Sequence, residues 1–282
     1  MTTWFITGAS RGFGLEIARQ ALDRGDDVVA TARNPEAVAS ALPGYGGRLL
    51  PLALDVTDEA GARTAVSVAV ETYGTIDVLV NNAGRGLLGA VEEASDTAVR
   101  AVYDTNVFGM LNVSRAVLPV MRRRRSGRVL NLSSLGGFSS SAGFGIYCST
   151  KFAVEGISEA MHAELAPLGI GVTLVEPGYF RTDFLDGGSL HTEGTVIDDY
   201  AATSGAVRDM VPGLNHTQPG DPVKGAAAVL VLADADVPPL RAQLGSDCVA
   251  ELDRKIAGLR AESAAWRHLA LSTDRDDARA LA

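Results

Sequence analysis

Short apolar runs recur along the chain, and each is followed by a stretch with helical spacing. The runs at 3–7, 27–32, 48–54, 76–81, 127–133, 170–176 and 240–245 are of strand length. Several, such as Val78-Leu79-Val80 and Val129-Leu130, are continuous rather than alternating, as a strand covered on both faces requires. Between them the pattern is helical near 13–24, 35–41, 58–73, 95–124, 147–166 and 221–233. This alternation leaves few architectures open and predicts an α/β fold, a doubly wound parallel sheet with helices on both faces. Punctuation agrees. Thr57 is placed to cap a helix that opens with Asp58 and Glu59, and Asp221-Pro222 sets a capping acid before a proline at the first helical position.

No linker or internal repeat divides the sequence, so residues 1–282 are expected to form one domain. Residues 178–220 break the rhythm. They are rich in glycine, threonine and aspartate around isolated Phe180, Phe184, Leu185 and Leu190, the signature of a lid, a binding loop or disorder. After about residue 246 a helical extension is expected from Val249, Leu252, Ile256 and Leu259, with the last ten residues mobile. A net charge of −9 argues against general nucleic-acid binding. The run Arg122 to Arg125, with Arg128, reads as cations at a helix C-terminus rather than as a phosphate patch. Cys148 and Cys248 lie far apart and read as reduced thiols. No apolar stretch is long enough to span a membrane or serve as a signal segment, so a cytoplasmic location is expected.

The first strand runs into Thr7-Gly8-Ala9-Ser10-Arg11-Gly12-Phe13-Gly14, followed by the amphipathic Leu15, Ile17, Ala18, Ala21 and Leu22. A glycine-rich turn at a strand–helix junction brings a pyrophosphate against backbone N–H groups at the positive helix end. The context is that of a Rossmann-type dinucleotide site, with Gly8, Ser10, Arg11, Gly12, Phe13 and Gly14 as its cradle. An ATPase-type loop is excluded by the missing lysine after the last glycine. The second strand ends Ala32-Arg33, without the carboxylate that would accept a ribose 2′-hydroxyl in an NAD site. Arg33 with Arg11 can instead pair with a 2′-phosphate, so NADP(H) is predicted rather than NAD(H).

Tyr147 and Lys151 are four apart and would share a helix face. Ketone reduction needs a proton donor at oxygen as hydride reaches carbon. A phenol is a poor base at neutral pH, and a nearby ammonium is expected to lower its pKa toward the working range. Ser134 is placed to hold the substrate oxygen as a polarising donor. Plain alternatives stand beside these: Ser133 and Ser134 ending a strand, Tyr147 as packing at a helix start, and Asn106, in the apolar helical stretch of Val102, Val107 and Leu111, as a core amide satisfied by backbone. Cys148 is read as packing. Histidines 162, 191, 216 and 268 form no evident ligand cluster, and no metal is implied.

Taken in order, Thr7-Gly8-x-x-x-Gly12-x-Gly14, Asp55-Val56, Asn81-Asn82-Ala83-Gly84, Asn106, Ser134, Tyr147-x-x-x-Lys151 and Pro177-Gly178 resemble the classical short-chain dehydrogenases over residues 3 to about 250. The resemblance implies that Asp55 bonds the adenine amino group beside the Val56 backbone, and that Asn82, Ala83 and Gly84 run along the cofactor. It implies that Pro177, Gly178 and Thr182 meet the nicotinamide carboxamide. Tyr147 and Lys151 would also touch the cofactor, Lys151 at the nicotinamide ribose. Asn106 would order a water leading from Lys151. Ser134, preceding Leu135-Gly136-Gly137, is favoured over Ser133. Tyr147 to Gly156 and Glu176 to Thr182 are similar to the hydroxysteroid and retinol dehydrogenase branch, which implies a bulky apolar carbonyl or alcohol substrate. It also implies a homodimer or homotetramer paired through the helices at 95–124 and 147–166. Two other classes compete: a non-enzymatic NADP-binding regulator on the same fold, which commonly lacks the tyrosine or lysine, and a sugar-nucleotide epimerase, with different glycine spacing.

Overall fold

The computed structural model describes residues 1–275; most of the tail expected to be mobile, residues 276–282, lies outside the described residues. Seven parallel strands form the central sheet in the order β3-β2-β1-β4-β6-β7-β9. They are β1 (Thr3–Thr7), β2 (Asp27–Ala32), β3 (Leu49–Ala53), β4 (Val78–Asn81), β6 (Gly127–Leu132), β7 (Ile170–Pro177) and β9 (Arg241–Leu244). Alternate residues of each strand enter opposite cores. Trp4, Ile6, Val28, Ala30, Val78 and Val80 pack with helices α1 (Gly12–Asp23) and α8 (Pro222–Asp234). Phe5, Val29 and Leu79 pack on the other face with α3 (Glu59–Tyr73), α5 (Met110–Arg124) and α6 (Gly145–Leu165). The sheet is therefore apolar on both sides, which explains the unbroken hydrophobic runs. The strand order reverses between β1 and β4, and a crevice opens at the carboxyl ends of those strands.

Three expectations need correction. The stretch 95–124 is not one helix: α4 (Asp96–Tyr103) passes through a π-helical turn, Asp104–Gly109, into α5. The wider turn takes up an extra residue, as at many functional sites, and carries Asn106. Thr57 does not cap α3; Asp58 does, accepting from Ala60 N–H at 2.9 Å. Thr57 instead donates to Asp55 through its N–H and hydroxyl, at 3.0 and 2.8 Å. Asp221 caps α8 as read, at 2.9 Å from Val223 N–H and 3.4 Å from Lys224 N–H.

Residues 178–220 are neither disordered nor a bare loop. Strand β8 (Leu190–Thr192) pairs in parallel with β5 (Gly86–Leu88), and α7 (Ala206–Leu214) follows. Elements of three and nine residues are too short to print a period in the sequence. The arginine run ends α5 as expected: Arg124 pairs with Asp77, and Arg125 adopts the left-handed cap at φ 56°. Helix α9 (Ser246–Leu271) extends past the sheet, and Cys248 is its one buried residue. Among the described residues no helix is long and apolar enough to cross a membrane.

Candidate active site

The crevice is a cleft of about 860 Å³. Of the residues expected to meet the cofactor, Gly8, Ser10, Arg11, Gly12, Phe13, Arg33, Asp55, Val56, Asn82, Ala83, Gly84, Pro177, Gly178 and Thr182 line it, and so do Ser134, Tyr147 and Lys151. Gly14 and Asn106 do not.

The glycine loop is built for close approach. Gly8 sits at φ +66°, and a Cβ there would stand 3.0 Å from the Cα of Ala83. Gly14 has a different task from the expected one. A Cβ on it would lie 2.5 Å from both Asn82 Nδ2 and the carbonyl oxygen of Gly8, so its missing side chain lets helix α1 close onto the loop. Asn82 braces the same loop, donating from Nδ2 to the carbonyls of Thr7 and Gly8 at 2.9 and 3.0 Å. Thr7 Oγ1 in turn accepts the N–H groups of Asn82 and Ala83, each at 3.0 Å.

At the adenosine end, Asp55 is exposed and one of its oxygens is held by Thr57. Arg33 is exposed and makes no ion pair or hydrogen bond within the described residues. Arg11 is not equivalent: its Nη2 donates to Ser189 Oγ at 2.6 Å, tying the glycine loop to the 178–220 segment.

At the other end three side chains converge. Ser134 follows β6, and its Oγ accepts from Gly136 N–H at 3.0 Å. That contact fills a lone pair and leaves the hydroxyl proton to point elsewhere; Ser134 and the Tyr147 phenol are hydrogen-bonded. Tyr147 is in the first turn of α6, with Lys151 one turn on, Nζ 5.9 Å from the centre of the tyrosine ring. Lys151 is buried and donates to the Leu132 carbonyl at 2.7 Å. Burial depresses its pKa to about 8, against the opposing field of Glu155. The expected lowering of the tyrosine is not found. Burial holds the phenol above its ordinary range, with Ser134 pulling the other way, while the lysine ammonium is turned to a backbone carbonyl.

Asn106 lies behind this group. Its Oδ1 accepts from Arg85 N–H at 2.9 Å, and its Nδ2 donates to the Arg85 carbonyl at 2.9 Å and to Thr150 Oγ1 at 3.0 Å. A cavity of about 10 Å³ separates it from Lys151, close to the least volume that holds one water.

The substrate side of the cleft is apolar on one wall and polar on the other. Phe184 packs at a tilt against Tyr147, ring centres 5.5 Å apart, and Phe144 meets the same ring edge-on at 6.3 Å. Leu185 adds to this wall, and Cys148 also lines the cleft although most of its surface is packed in a small core. Opposite are Ser139, Glu251 and Arg254, which hydrogen-bond one another. Sequence reasoning missed this wall because α9 reaches it from the far end of the chain. Histidine 216 also departs from expectation: with Asp183 and Asp186 it brings three possible ligand atoms within 4.8 Å, in the 178–220 segment. Asn215 and His216 both contact Asp186, at 2.6 and 3.2 Å.

A glycine cradle for a dinucleotide and a serine–tyrosine–lysine group at its far end define an oxidoreductase site. The chain belongs to the short chain dehydrogenase family, whose model matches residues 2–190. It is similar to Oxidoreductase BOA17 of Botryotinia fuckeliana, 40% identical over 96% of this chain and 98% of that one. It is also similar to human 17-beta-hydroxysteroid dehydrogenase type 1, 41% identical over 66% of this chain and 56% of the human one. A crystal structure of a short-chain dehydrogenase from Streptomyces avermitilis superimposes with a TM-score of 0.90 at 41% identity, covering 97% of this chain and 100% of that one. An alcohol dehydrogenase from the archaeon Thermococcus sibiricus, complexed with 5-hydroxy-NADP, superimposes at 0.71 with 26% identity, covering 86% and 96%. The protein is an NAD(P)-dependent oxidoreductase of this family.

Proposed function

We propose that the protein is an NADP-dependent reductase or dehydrogenase that moves a hydride between the nicotinamide and a carbonyl or secondary alcohol on a bulky apolar molecule. The observation that carries this reading is the meeting of Ser134, Tyr147 and Lys151 beside the Phe144–Phe184–Leu185 wall. The cradle at Gly8, the brace from Asn82 and a cleft of this size fit a dinucleotide. When bound, the nicotinamide supplies or accepts the hydride. In the reducing direction Ser134 holds the substrate oxygen, and Tyr147, kept protonated by its burial, gives that oxygen its proton. Lys151, charged below about pH 8, balances the phenolate left behind and draws on the Asn106 side for its proton. Arg33, free at the end of β2 with no carboxylate beside it, supports the 2′-phosphate of NADP(H) over NAD(H). The exposed Phe108 and Phe152, on the π turn and on α6, support pairing of two or four copies through those helices, which light scattering tests.

The test is consumption of NADPH and NADH with a panel of hydrophobic ketones, aldehydes, steroids and quinones. Turnover with NADPH, lost in Tyr147→Phe, is expected. Tight NADPH binding without turnover of any member would favour the regulator.

A further inference from the structure

Behind Ser134 and Lys151, at the carboxyl ends of β6 and β7, lie two carboxyl groups that the reaction does not use. Glu155 is on α6, one turn past Lys151, and is 7% exposed; Glu176, next to Pro177 in β7, is fully buried. Ser133 Oγ donates to Glu155 Oε1 at 2.5 Å. Gln243 on β9 donates to Glu176 Oε2. Glu176 Oε1 is buried and receives no hydrogen bond from any donor among the described residues. Arg241 Nε stands 3.7 Å from it and 3.1 Å from Glu155 Oε2, so the two carboxyl groups flank one nitrogen and act on each other.

Two buried carboxyl groups this close repel when both are charged, and a proton held between them removes the conflict. The charge balance agrees. The cation beside the pair is Arg241, an exposed residue of β9 whose Nε is 3.1 Å from Glu155 Oε2 and 3.7 Å from Glu176 Oε1; its Nη2 is spent on the exposed Glu159 at 2.7 Å. One guanidinium neutralises one buried carboxylate, not two. The other groups facing the pair do not relieve it. Lys151 acts on Glu155 from α6, but its ammonium is engaged with Leu132. On α9, Asp247 accepts from Tyr179 N–H, and the Cys248 thiol, pushed up to about 12 by burial, donates to the Glu176 carbonyl.

We propose that Glu155 and Glu176 share one proton, and that this pair is a positioning device that joins α6, β6, β7 and β9 beneath the active site. It acts through Ser133 on the adjoining Ser134, through α6 on Lys151, and through β7 on Pro177 and Gly178. This rests on the reading of Ser134, Tyr147 and Lys151 given above. Burial and the Glu155 charge raise Glu176 to about 7, so the shared proton is held at neutral pH and lost above it. The sign follows from linkage. The unfolded chain gives up this proton near the ordinary carboxylate value and the folded chain only near 7, so stability falls as pH rises across that interval.

Thermal unfolding of wild type and Glu176→Gln from pH 5 to pH 9 tests this, with infrared spectroscopy of the folded wild type. The amide mimics the protonated carboxyl, so wild type should lose melting temperature toward pH 7.5 while Glu176→Gln shows a flatter profile. A protonated-carboxyl stretch should be present in wild type at pH 6 and missing from the variant. In turnover, Glu176→Gln should keep kcat within a few-fold at pH 6.5 and move the alkaline limb upward. Glu176→Leu should lose about 10-fold to 100-fold in kcat with little change in nucleotide affinity, the scale of a displaced reacting group. Parallel melting profiles for wild type and Glu176→Gln, or no protonated-carboxyl band in wild type, would overturn the proposal even if the glutamine variant folds poorly. If the melting and infrared results hold while Tyr147→Phe stays active, the shared proton stands and the catalytic reading fails.

Discussion

The two halves of the cleft are held in different ways. The nucleotide half, residues 3–84, is fixed by parallel strand register and by the Asn82 and Thr7 side chains bonded to backbone groups of Gly8 and Ala83. The substrate wall, residues 178–220, adds no strand to the central sheet: the bridge from Phe180 to Gly220 is internal to it, and its β8 pairs with β5 in a separate two-stranded sheet. Much of its anchoring is by side chains on carboxylates. Arg208 pairs with buried Glu93, which also accepts Ile197 N–H at 2.9 Å; Glu193 reaches back to Ser95 N–H and Oγ at 3.0 and 2.9 Å. A rigid half that binds cofactor and a pinned half that covers substrate can be altered separately, and each prediction below tests that separation.

The largest effect is expected where the halves meet. Tyr147→Phe removes the proton donor and should lower kcat by about 10³-fold, within the range for a lost general acid. Nucleotide affinity, measured by fluorescence titration, should stay within a few-fold, because the cradle is untouched. Equal loss of both would mean that Tyr147 belongs as much to the nucleotide half as to the reaction.

Arg33→Ala probes the nucleotide half alone. One charge-assisted contact with a 2′-phosphate is worth about 1.5–3 kcal/mol, or roughly 10-fold to 100-fold in NADPH affinity. NADH affinity should not move. A common fall for both nucleotides would remove the basis for NADP preference. Gly14→Ala probes the packing of the same half. With a Cβ 2.5 Å from two atoms, it should cost about 1–3 kcal/mol of stability in the protein without nucleotide. Unchanged stability with weakened NADPH binding would restore Gly14 to the cofactor contacts.

The contrast also explains what could be read from the sequence. The inner sheet strands appear at the expected places because β1, β2, β4, β6 and β7 are buried on both faces, and that is a local signal; the edge strand β9, Arg-Ala-Gln-Leu, lacks it. Gly8, Asn82, Tyr147 and Lys151 sit in short motifs whose spacing survives without knowledge of the fold. The tie from Arg11 to Ser189 was not legible because the two are far apart in the chain. Glu93 with Arg208, Ser139 with Glu251, and Glu155 with Glu176 are likewise pairs made by topology. No window of sequence contains both members. The π turn at Asn106 escaped for another reason: it keeps helical composition and changes only the winding.

The pinning of the substrate wall gives the smallest effect, and the sharpest test of independence. Arg208 is largely buried against Glu93, whose carboxylate is held below its ordinary range by the N–H groups of Ile197 and Ala90 and by Arg208 itself. Removing the cation in Arg208→Met leaves the methylene volume but unties α7 from the segment before α4. Substrate KM should rise by about 10-fold or less, the scale of one lost anchoring contact in a lid. kcat and NADPH affinity should change little, and limited proteolysis within residues 190–214 should speed up. The pH sign is fixed by the same carboxylate. A depressed value means that its contribution is present above the ordinary carboxylate range and fades as pH falls through it, so wild type should approach the variant's KM under acid conditions. If Arg208→Met instead weakens NADPH binding, Arg11–Ser189 transmits the disturbance to the glycine loop, and the two halves act as one body.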